Sequence, residues 1–273
     1  MVGQHRSTQR YLAQPSEEEQ QLVKEIHDLA RSHPRFGYRR ITALLRRAGW
    51  AVNRKRVQRL WRQEGLRVPK KQRKKRRLGS SANACTRRKA TRPNQVWTWD
   101  FVFDRTEDGR PLKFLTVVDE FTRECLALPV DRHFTARDVV AVLAELVALR
   151  GAPEFIRSDN GPEFIAQAIR DWLARAGIAT AYIAPGSPWE NAYSETFNGK
   201  LRDELLAREL FLSVTEARHL ADRFRVEYNT QRPHSSLGYK TPAEFAAACG
   251  PSGSATLRLR AHTRTRPQPV SLS

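Results

Sequence analysis

The apolar positions near the N-terminus recur with a helical period. In residues 17–30 they are spaced by four and three, which predicts a short amphipathic helix. A second helix is predicted to end at Gly49, and a third to run from Arg54 to Glu64 behind Asn53, a favourable N-cap. Two helices joined by a short glycine-containing turn, the second rich in Arg and Lys, predict a helix-turn-helix-like unit. The predicted inward positions are Leu22, Ile26, Leu29, Ile41, Leu44, Leu45, Val57, Leu60 and Trp61.

A strand-type pattern begins at Val96 and is followed by alternating strands and helices. The order β-β-β-α-β-α-β-α predicts a mixed α/β fold, with a mixed five-stranded sheet flanked by helices. A turn at Glu107-Asp108-Gly109 predicts a hairpin between the first two strands. The predicted elements are strands at Val96–Phe103, Leu112–Val118 and Cys125–Val130, a helix from a Thr135/Asp138 capping box to Arg150, a strand ending at Asp159, a helix at Pro162–Ala176, a strand at Thr180–Ile183 and a helix from about Trp189 to Leu206.

Charge divides the chain into unlike parts. Residues 1–94 carry a net charge of +20, residues 95–250 carry −5, and the whole chain carries +19. Within the basic part, Arg67–Arg77 has eight cations among eleven residues, which predicts an extended linker. The predicted organisation is a loose lead-in at 1–20, a helix-turn-helix-like region at 21–66, a basic linker at 67–94, a core with a C-terminal helical extension at 95–248, and a disordered tail at 249–273.

The basic N-terminal part indicates a polyanionic partner. Nucleic acid is favoured over an anionic membrane surface, because the basic run has no accompanying apolar face. The sequence has neither an apolar run long enough to span a membrane nor a secretory signal, and its three cysteines have no Cys-x-x-Cys spacing. Cytoplasmic localisation is therefore expected. The best candidates for DNA contacts are Arg54, Lys55, Arg56, Arg59 and Arg62 on the third helix and Lys70, Lys71, Arg73, Lys74 and Lys75 in the linker.

Three acids are candidate ligands for a metal ion. Asp159 ends an apolar strand and begins an Asp-Asn-Gly-Pro segment, so it is either a turn residue or a ligand at a strand end. Asp100 lies within an aromatic strand, where a carboxylate requires an arginine partner or a metal ion. Glu195 shares a polar helix face with Asn198 and Arg202, a pattern also typical of solvated surface. Three carboxylates brought together from two strands and a helix would suit two Mg²⁺ ions.

These motifs resemble a known family. Asp159 and Glu195 are separated by 35 residues, the interval found in transposases of the retroviral-integrase type that have an Asp-Asp-Glu triad. The neighbouring segments are similar as well: Trp99-Asp100-Phe101, Ser158-Asp-Asn-Gly-Pro-Glu-Phe164, Pro185-Gly-Ser-Pro-Trp-Glu-Asn-Ala-Tyr-Ser-Glu-Thr-Phe-Asn-Gly-Lys200, and Tyr228-Asn-Thr-Gln-Arg-Pro-His-Ser-Ser-Leu-Gly238 followed by Thr241-Pro242. Over residues 20–248, the chain is similar to the second-reading-frame protein of bacterial insertion-sequence transposases.

The resemblance implies a ribonuclease-H-like core that cleaves and joins DNA at insertion-sequence ends. It selects Asp100, Asp159 and Glu195 as catalytic metal ligands over the nearby acids Asp119, Glu163, Glu190 and Glu204. It further implies Mg²⁺ or Mn²⁺, two ions being expected, and no zinc, since His27 and His33 lack paired cysteines. Further candidates for contacts with DNA are Asn160, Asn198, Lys200 and Arg202, and Arg232 and His234 have the polar character expected near a phosphate.

The implied partners are double-stranded DNA of the element ends and target, further copies of the chain on DNA, and a first-reading-frame protein or fusion. A bacterial protein of this kind is expected at the nucleoid when bound to DNA. Two other functions remain open from the residues alone. One is a non-catalytic DNA-binding regulator derived from a transposase, and the other is a ribonuclease of the same fold acting on RNA–DNA hybrids.

Overall fold

The computed structural model describes residues 16–69, 89–158, 167–182 and 192–250. The first range forms a three-helix unit consisting of α1 (Glu17–Ser32), α2 (Tyr38–Arg47) and α3 (Arg54–Gln63). Gly49 follows α2 with a positive φ of 92°, and the Asn53 side chain caps α3 by accepting the N–H of Arg56 at 2.8 Å. The predicted inward residues form the core of this unit, with Leu29 and Leu44 at its margin.

The second domain is built on a mixed sheet in the order β3-β2-β1-β5-β6. Its strands are β1 (Val96–Arg105), β2 (Pro111–Asp119), β3 (Cys125–Ala127), β4 (Val130–Asp131), β5 (Phe155–Ser158) and β6 (Ala179–Tyr182). β1 and β2 pair antiparallel, whereas β5 runs parallel to both β1 and β6. The predicted hairpin is present, and Gly109 has the positive φ that its turn requires.

The third predicted strand, Cys125–Val130, differs from the observed structure. It is divided into β3 and the two-residue β4, both of which pair with β2, and the register shifts at Val117 and Val118. Pro129 lies at the break. Because proline has no N–H to donate to a ladder, a continuous strand is not favoured there.

The helices cover both faces of the sheet. On one face, α4 (Ala136–Arg150) and α5 (Gln167–Arg175) pack against Trp97, Trp99 and Phe101 of β1. On the other face, α6 (Ala192–Leu201) and α7 (Val214–Thr230) pack against Val102 of the same strand. Alternate residues of β1 therefore serve two separate cores, as expected for a strand buried on both faces. Asp100 shares the α6 face with Val102.

The C-terminal elements complete this second layer. The predicted helix reaching Leu206 instead changes at Leu201 into a five-residue π-helical turn, Arg202–Leu206. A short helix, α8 (Pro242–Ala248), follows α7 and begins with a capping box between Thr241 and Glu244. Within the described ranges, no helix is both long and apolar enough to cross a membrane.

Several predictions fall outside the described residues. These are the conformations expected for residues 1–15, 70–88 and 251–273, the positions of Lys70, Lys71, Arg73, Lys74, Lys75, Asp159 and Asn160, and the parts of two predicted helices within residues 159–166 and 183–191.

A buried ion pair links β5 to the end of β2. The Nε atom of Arg157 lies 3.3 Å from Oε1 of Glu120, and the two side chains are 6% and 0% exposed. Glu120 follows β2, so the pair crosses β1 to reach the strand that ends immediately before Asp159. Removing one charge from such a buried pair leaves the other without compensation.

We therefore predict that Glu120→Gln lowers the free energy of unfolding by about 3 kcal/mol, measured by chemical denaturation. Asp131→Asn is the matched control, because it removes the same charge from an exposed pair with Arg218 and is expected to cost less than about 1 kcal/mol. Equal effects of the two substitutions would contradict a structural role for the Glu120–Arg157 pair.

Candidate active site

Asp100 occupies the middle of the central strand β1, on the side covered by α6. Its side chain is half-buried, and its Oδ1 accepts the N–H of Phe101 at 2.7 Å. Its Oδ2 accepts a hydrogen bond from the side-chain amide of Asn198, also at 2.7 Å. The carboxylate thus sits at the boundary between β1 and α6, with its orientation set from both elements.

Asn198 connects three elements at this point. Its side chain is 3% exposed; the amide nitrogen donates to Asp100, and Oδ1 lies 3.2 Å from the Thr116 hydroxyl on β2. The same hydroxyl lies 3.1 Å from the Asp100 carbonyl oxygen. Because an ionised carboxylate only accepts hydrogen bonds, the amide orientation is determined by Asp100. The buried position of Asn198 does not fit the predicted DNA contact, since its polar atoms are engaged within the protein.

Glu195 lies on the same helix, three residues before Asn198. A spacing of three places two residues on the same helix face, one turn apart. Glu195 is exposed and belongs to the first turn of α6, a helix that packs on β1 and β2. The bond between Asp100 and Asn198 therefore brings the face of α6 that bears Glu195 to the part of β1 that bears Asp100.

The third predicted acid, Asp159, lies outside the described residues, directly after Ser158 at the end of β5. Within the described ranges, no group of three His, Cys, Asp or Glu side chains is placed to hold a metal ion. Position 159 is not part of those ranges.

Two acids that the resemblance set aside have structural partners. Asp119 is buried at the end of β2 and accepts the N–H groups of Asn94, Phe121 and Thr122, and its burial raises the pKa of the carboxyl group. Glu204 lies in the π-helical turn and accepts two hydrogen bonds from Arg232, at 2.7 and 2.6 Å. Both carboxylates therefore have structural contacts. Glu163 and Glu190 lie outside the described residues.

The cations predicted to contact DNA occupy different environments. Arg54, Lys55 and Arg62 are exposed on α3. Arg56 and Arg59 instead form ion pairs with Glu18 and Glu19 of α1, at 3.0 to 3.5 Å. On the core, Arg202 is exposed and Lys200 is partly buried.

Arg232 and His234 are not positioned as the sequence suggested. Arg232 is only 4% exposed and pairs with Glu204, while His234 is buried against the Tyr228 ring at 4.8 Å. Burial, followed by the nearby cations Arg232, Arg40, Lys200 and Arg123, lowers the pKa of His234 to about 2. The imidazole is thus neutral, and neither side chain is available to a phosphate in this structure.

Sequence comparison defines the family. Two models described as "Integrase core domain" match residues 90–188 and 176–242, and one described as "HTH-like domain" matches residues 15–76. A 31.7 kDa protein of insertion element IS407 from Burkholderia multivorans is 41% identical over 247 residues, which cover 90% of this chain and 88% of that protein. Transposase InsD of insertion element IS2D from Escherichia coli is 31% identical over 82% of this chain and 77% of that protein.

The chain belongs to the insertion-element transposases with an integrase core. The resemblance seen in the sequence motifs is therefore confirmed. A solved structure of the simian T-cell lymphotropic virus intasome, in complex with the PP2A regulatory subunit B56 gamma, aligns with 90% of this chain and 80% of that chain. The TM-score is 0.52 at 17% identity. This likeness concerns the fold, and it agrees with the predicted ribonuclease-H-like core of this transposase. None of these similarities favours the non-catalytic regulator.

The position of Asn198 leads to a prediction about stability. Asn198→Ala removes the hydrogen bonds to Asp100 and Thr116 at a buried site, so the free energy of unfolding of this transposase should fall by about 1–3 kcal/mol. Thr196→Ala is the control, because Thr196 is exposed on the same helix and its replacement should change stability by less than about 0.5 kcal/mol. Denaturant unfolding followed by circular dichroism measures both, and unchanged stability of Asn198→Ala would contradict the inferred network.

Proposed function

We propose that this transposase cleaves and joins DNA strands at the ends of an insertion element, with Asp100, Asp159 and Glu195 as its catalytic acids. The observation that carries the proposal is the hydrogen bond from Asn198 to Asp100, at 2.7 Å. It links the central strand to the helix face on which Glu195 lies. This link supports the proposal that two of the three acids, distant in sequence, act on one side of the sheet.

The strand register supports the inclusion of Asp159. β1 and β5 are parallel, and Thr98 pairs with Arg157. Continuing this register by two positions in each strand leads to Asp100 on β1 and to Asp159 after β5. Paired residues of neighbouring parallel strands direct their side chains to the same face. The proposal therefore expects Asp159 to act on the same face of the sheet as Asp100.

The donor set suits hard divalent cations. Carboxylate oxygens are the ligands that Mg²⁺ and Mn²⁺ prefer, and Asp100 and Glu195 are accessible enough to leave further positions for water and phosphate oxygens. The chemistry that a pair of such ions supplies is activation of the attacking oxygen and stabilisation of the leaving oxygen. Asn198 and the Phe101 N–H would hold Asp100 in one orientation while it binds.

The proposed substrate is double-stranded DNA, with water and then a 3′-hydroxyl as successive nucleophiles. No protein nucleophile is required, so Ser and Tyr side chains have no assigned role. The exposed cations of α3 and the basic segment at Arg67–Arg77 would neutralise phosphates, and Asn160, Lys200 and Arg202 would contact DNA near the acids. Assembly of several copies on DNA and a fusion with a first-reading-frame product belong to the same proposal, as does action in the cytoplasm at the nucleoid.

The catalytic assignment predicts the effect of neutralising each acid. Asp100→Asn, Asp159→Asn and Glu195→Gln should each reduce strand cleavage by about a hundred-fold or more, because several kcal/mol of charge stabilisation is lost. Binding of the same DNA should persist. Cleavage and joining of labelled element ends in Mg²⁺, together with a filter-binding assay, measure the two properties separately.

Asp104→Asn is a close control for Asp100→Asn. Asp104 lies on the same strand and the same face, and its Oδ1 accepts the N–H of the next residue, Arg105, as that of Asp100 does for Phe101. It lacks the contact with Asn198. Equal losses of cleavage for the two variants would argue against a special role of Asp100.

The DNA-binding assignment predicts a change in salt dependence. Each phosphate contact that is lost should reduce the slope of log affinity against log salt concentration by about 0.9. We expect this for Lys55→Ala on α3, whereas Lys24→Ala on α1 should leave the slope unchanged. Fluorescence anisotropy at several salt concentrations tests the prediction, and equal slopes for Lys55→Ala and the unsubstituted chain would remove Lys55 from the interface.

A further inference from the structure

The segment Tyr228–Pro242 carries a motif that the catalytic proposal does not use. The structure gives its polar residues internal roles. The Asn229 side chain accepts the N–H of Cys125 at 2.9 Å and donates to the Cys125 carbonyl at 2.8 Å, which ties α7 to β3. Tyr228 packs edge-on against Phe197 of α6, with ring centres 4.9 Å apart. The segment is thus a corner joined to both the sheet and α6.

Arg232 projects from this corner toward the end of α6. Its bidentate pairing with Glu204 fixes it to the π-helical turn that continues that helix. His234 lies 3.3 Å from the third guanidinium nitrogen. Because Arg232 remains charged while buried, a closely fitted environment is required around it.

Part of that environment comes from the N-terminal helical unit. The Phe36 ring centre lies 5.8 Å from the Arg232 guanidinium carbon, and Arg40 of α2 lies 3.7 Å from the same Glu204 carboxylate. Arg35 donates to the Asp203 carbonyl at 3.2 Å. Glu204 therefore receives one cation from each domain, although these cations are 192 residues apart in the sequence.

A second set of contacts lies at the other end of α2. Arg47 donates to the carbonyl oxygens of Gln231 and Tyr239, at 3.1 and 3.4 Å, and forms an ion pair with Glu244 of α8. In the polar contacts, the N-terminal unit supplies the cations Arg35, Arg40 and Arg47, and the core supplies carboxylates or backbone carbonyl oxygens. The interface is therefore complementary in charge, in agreement with the opposite net charges of the two parts of the sequence.

We propose that the Tyr228–Pro242 corner, together with Glu204, is a docking socket for the helix-turn-helix-like domain of the same chain. Docking uses α2 and leaves Arg54, Lys55 and Arg62 of α3 exposed. Since Glu204 directly continues the helix that carries Glu195, the socket sets the orientation of the DNA-binding unit relative to the catalytic helix. The motif would thus act in domain assembly and would not contact a phosphate.

Zero-length cross-linking of the full chain tests this inference without any assay of activity. Arg47→Lys keeps the positive charge and introduces an amine that a carbodiimide can couple to Glu244, whose side chain is about half exposed. We expect mass spectrometry to identify an amide link between positions 47 and 244 in the monomer. Mixing isotope-labelled and unlabelled chains distinguishes a link within one chain from a link between two.

Adding Arg40→Glu to Arg47→Lys should abolish the link, because it places a carboxylate beside Glu204. Adding Lys24→Glu instead, with the same change in charge on α1, should leave the yield unchanged. A link that forms only between chains would overturn the proposal in favour of docking between copies. Absence of the link in folded Arg47→Lys would overturn the docking proposal if a second measurement agrees. That measurement is solution scattering, and it agrees if Arg47→Glu has the same radius of gyration as Lys24→Glu.

Discussion

The hydrogen bond between Asn198 and Asp100 is the interaction on which the site depends. A carboxylate on the central strand of a sheet covered on both faces is costly unless polar groups surround it. Asn198 meets this need without neutralising the charge, because an amide donates a hydrogen bond but carries no charge of its own. The amide therefore satisfies the carboxylate of Asp100 without supplying a countercharge. The same bond joins α6 to β1, in addition to the apolar packing of Phe197 and Leu201.

Arginine occupies two different environments in this protein, although all of its side chains contribute to one large net charge. Arg232 and Arg157 are buried and pair with Glu204 and Glu120. Arg54 and Arg62 are exposed on α3. The difference arises from the surroundings, because a planar guanidinium with several donors can satisfy a buried carboxylate as readily as a phosphate. The basic composition therefore indicates a polyanionic partner. The contacts of each arginine within the protein determine whether its side chain can bind that partner.

Much of the fold follows from local patterns. The Asn53 cap, the hairpin at Gly109, the order of strands and helices and the alternating faces of β1 all depend on neighbouring residues, and all were predictable. Three features were not. The interruption of the strand at Pro129 depends on its pairing with β2, which the local sequence does not reveal. The roles of Asn198 and Arg232 depend on Asp100 and Glu204, which are about 100 and 30 positions away in the sequence. Polar residues at helical spacing look alike in sequence whether they face solvent, DNA or a buried carboxylate.

The π-helical turn at Arg202–Leu206 makes room for one additional residue at the end of α6. An α-helix has about 3.6 residues per turn, whereas a π-turn accommodates one more residue in a single turn. Deleting one residue here would therefore permit an unbroken α-helix and leave the chain beyond it in nearly the same orientation relative to Glu195. A deletion before Glu204 would nevertheless change the angular position of that side chain, and with it the pairing with Arg40 and Arg232. Loss of a single codon should therefore cost this contact while leaving the direction of the chain nearly unchanged.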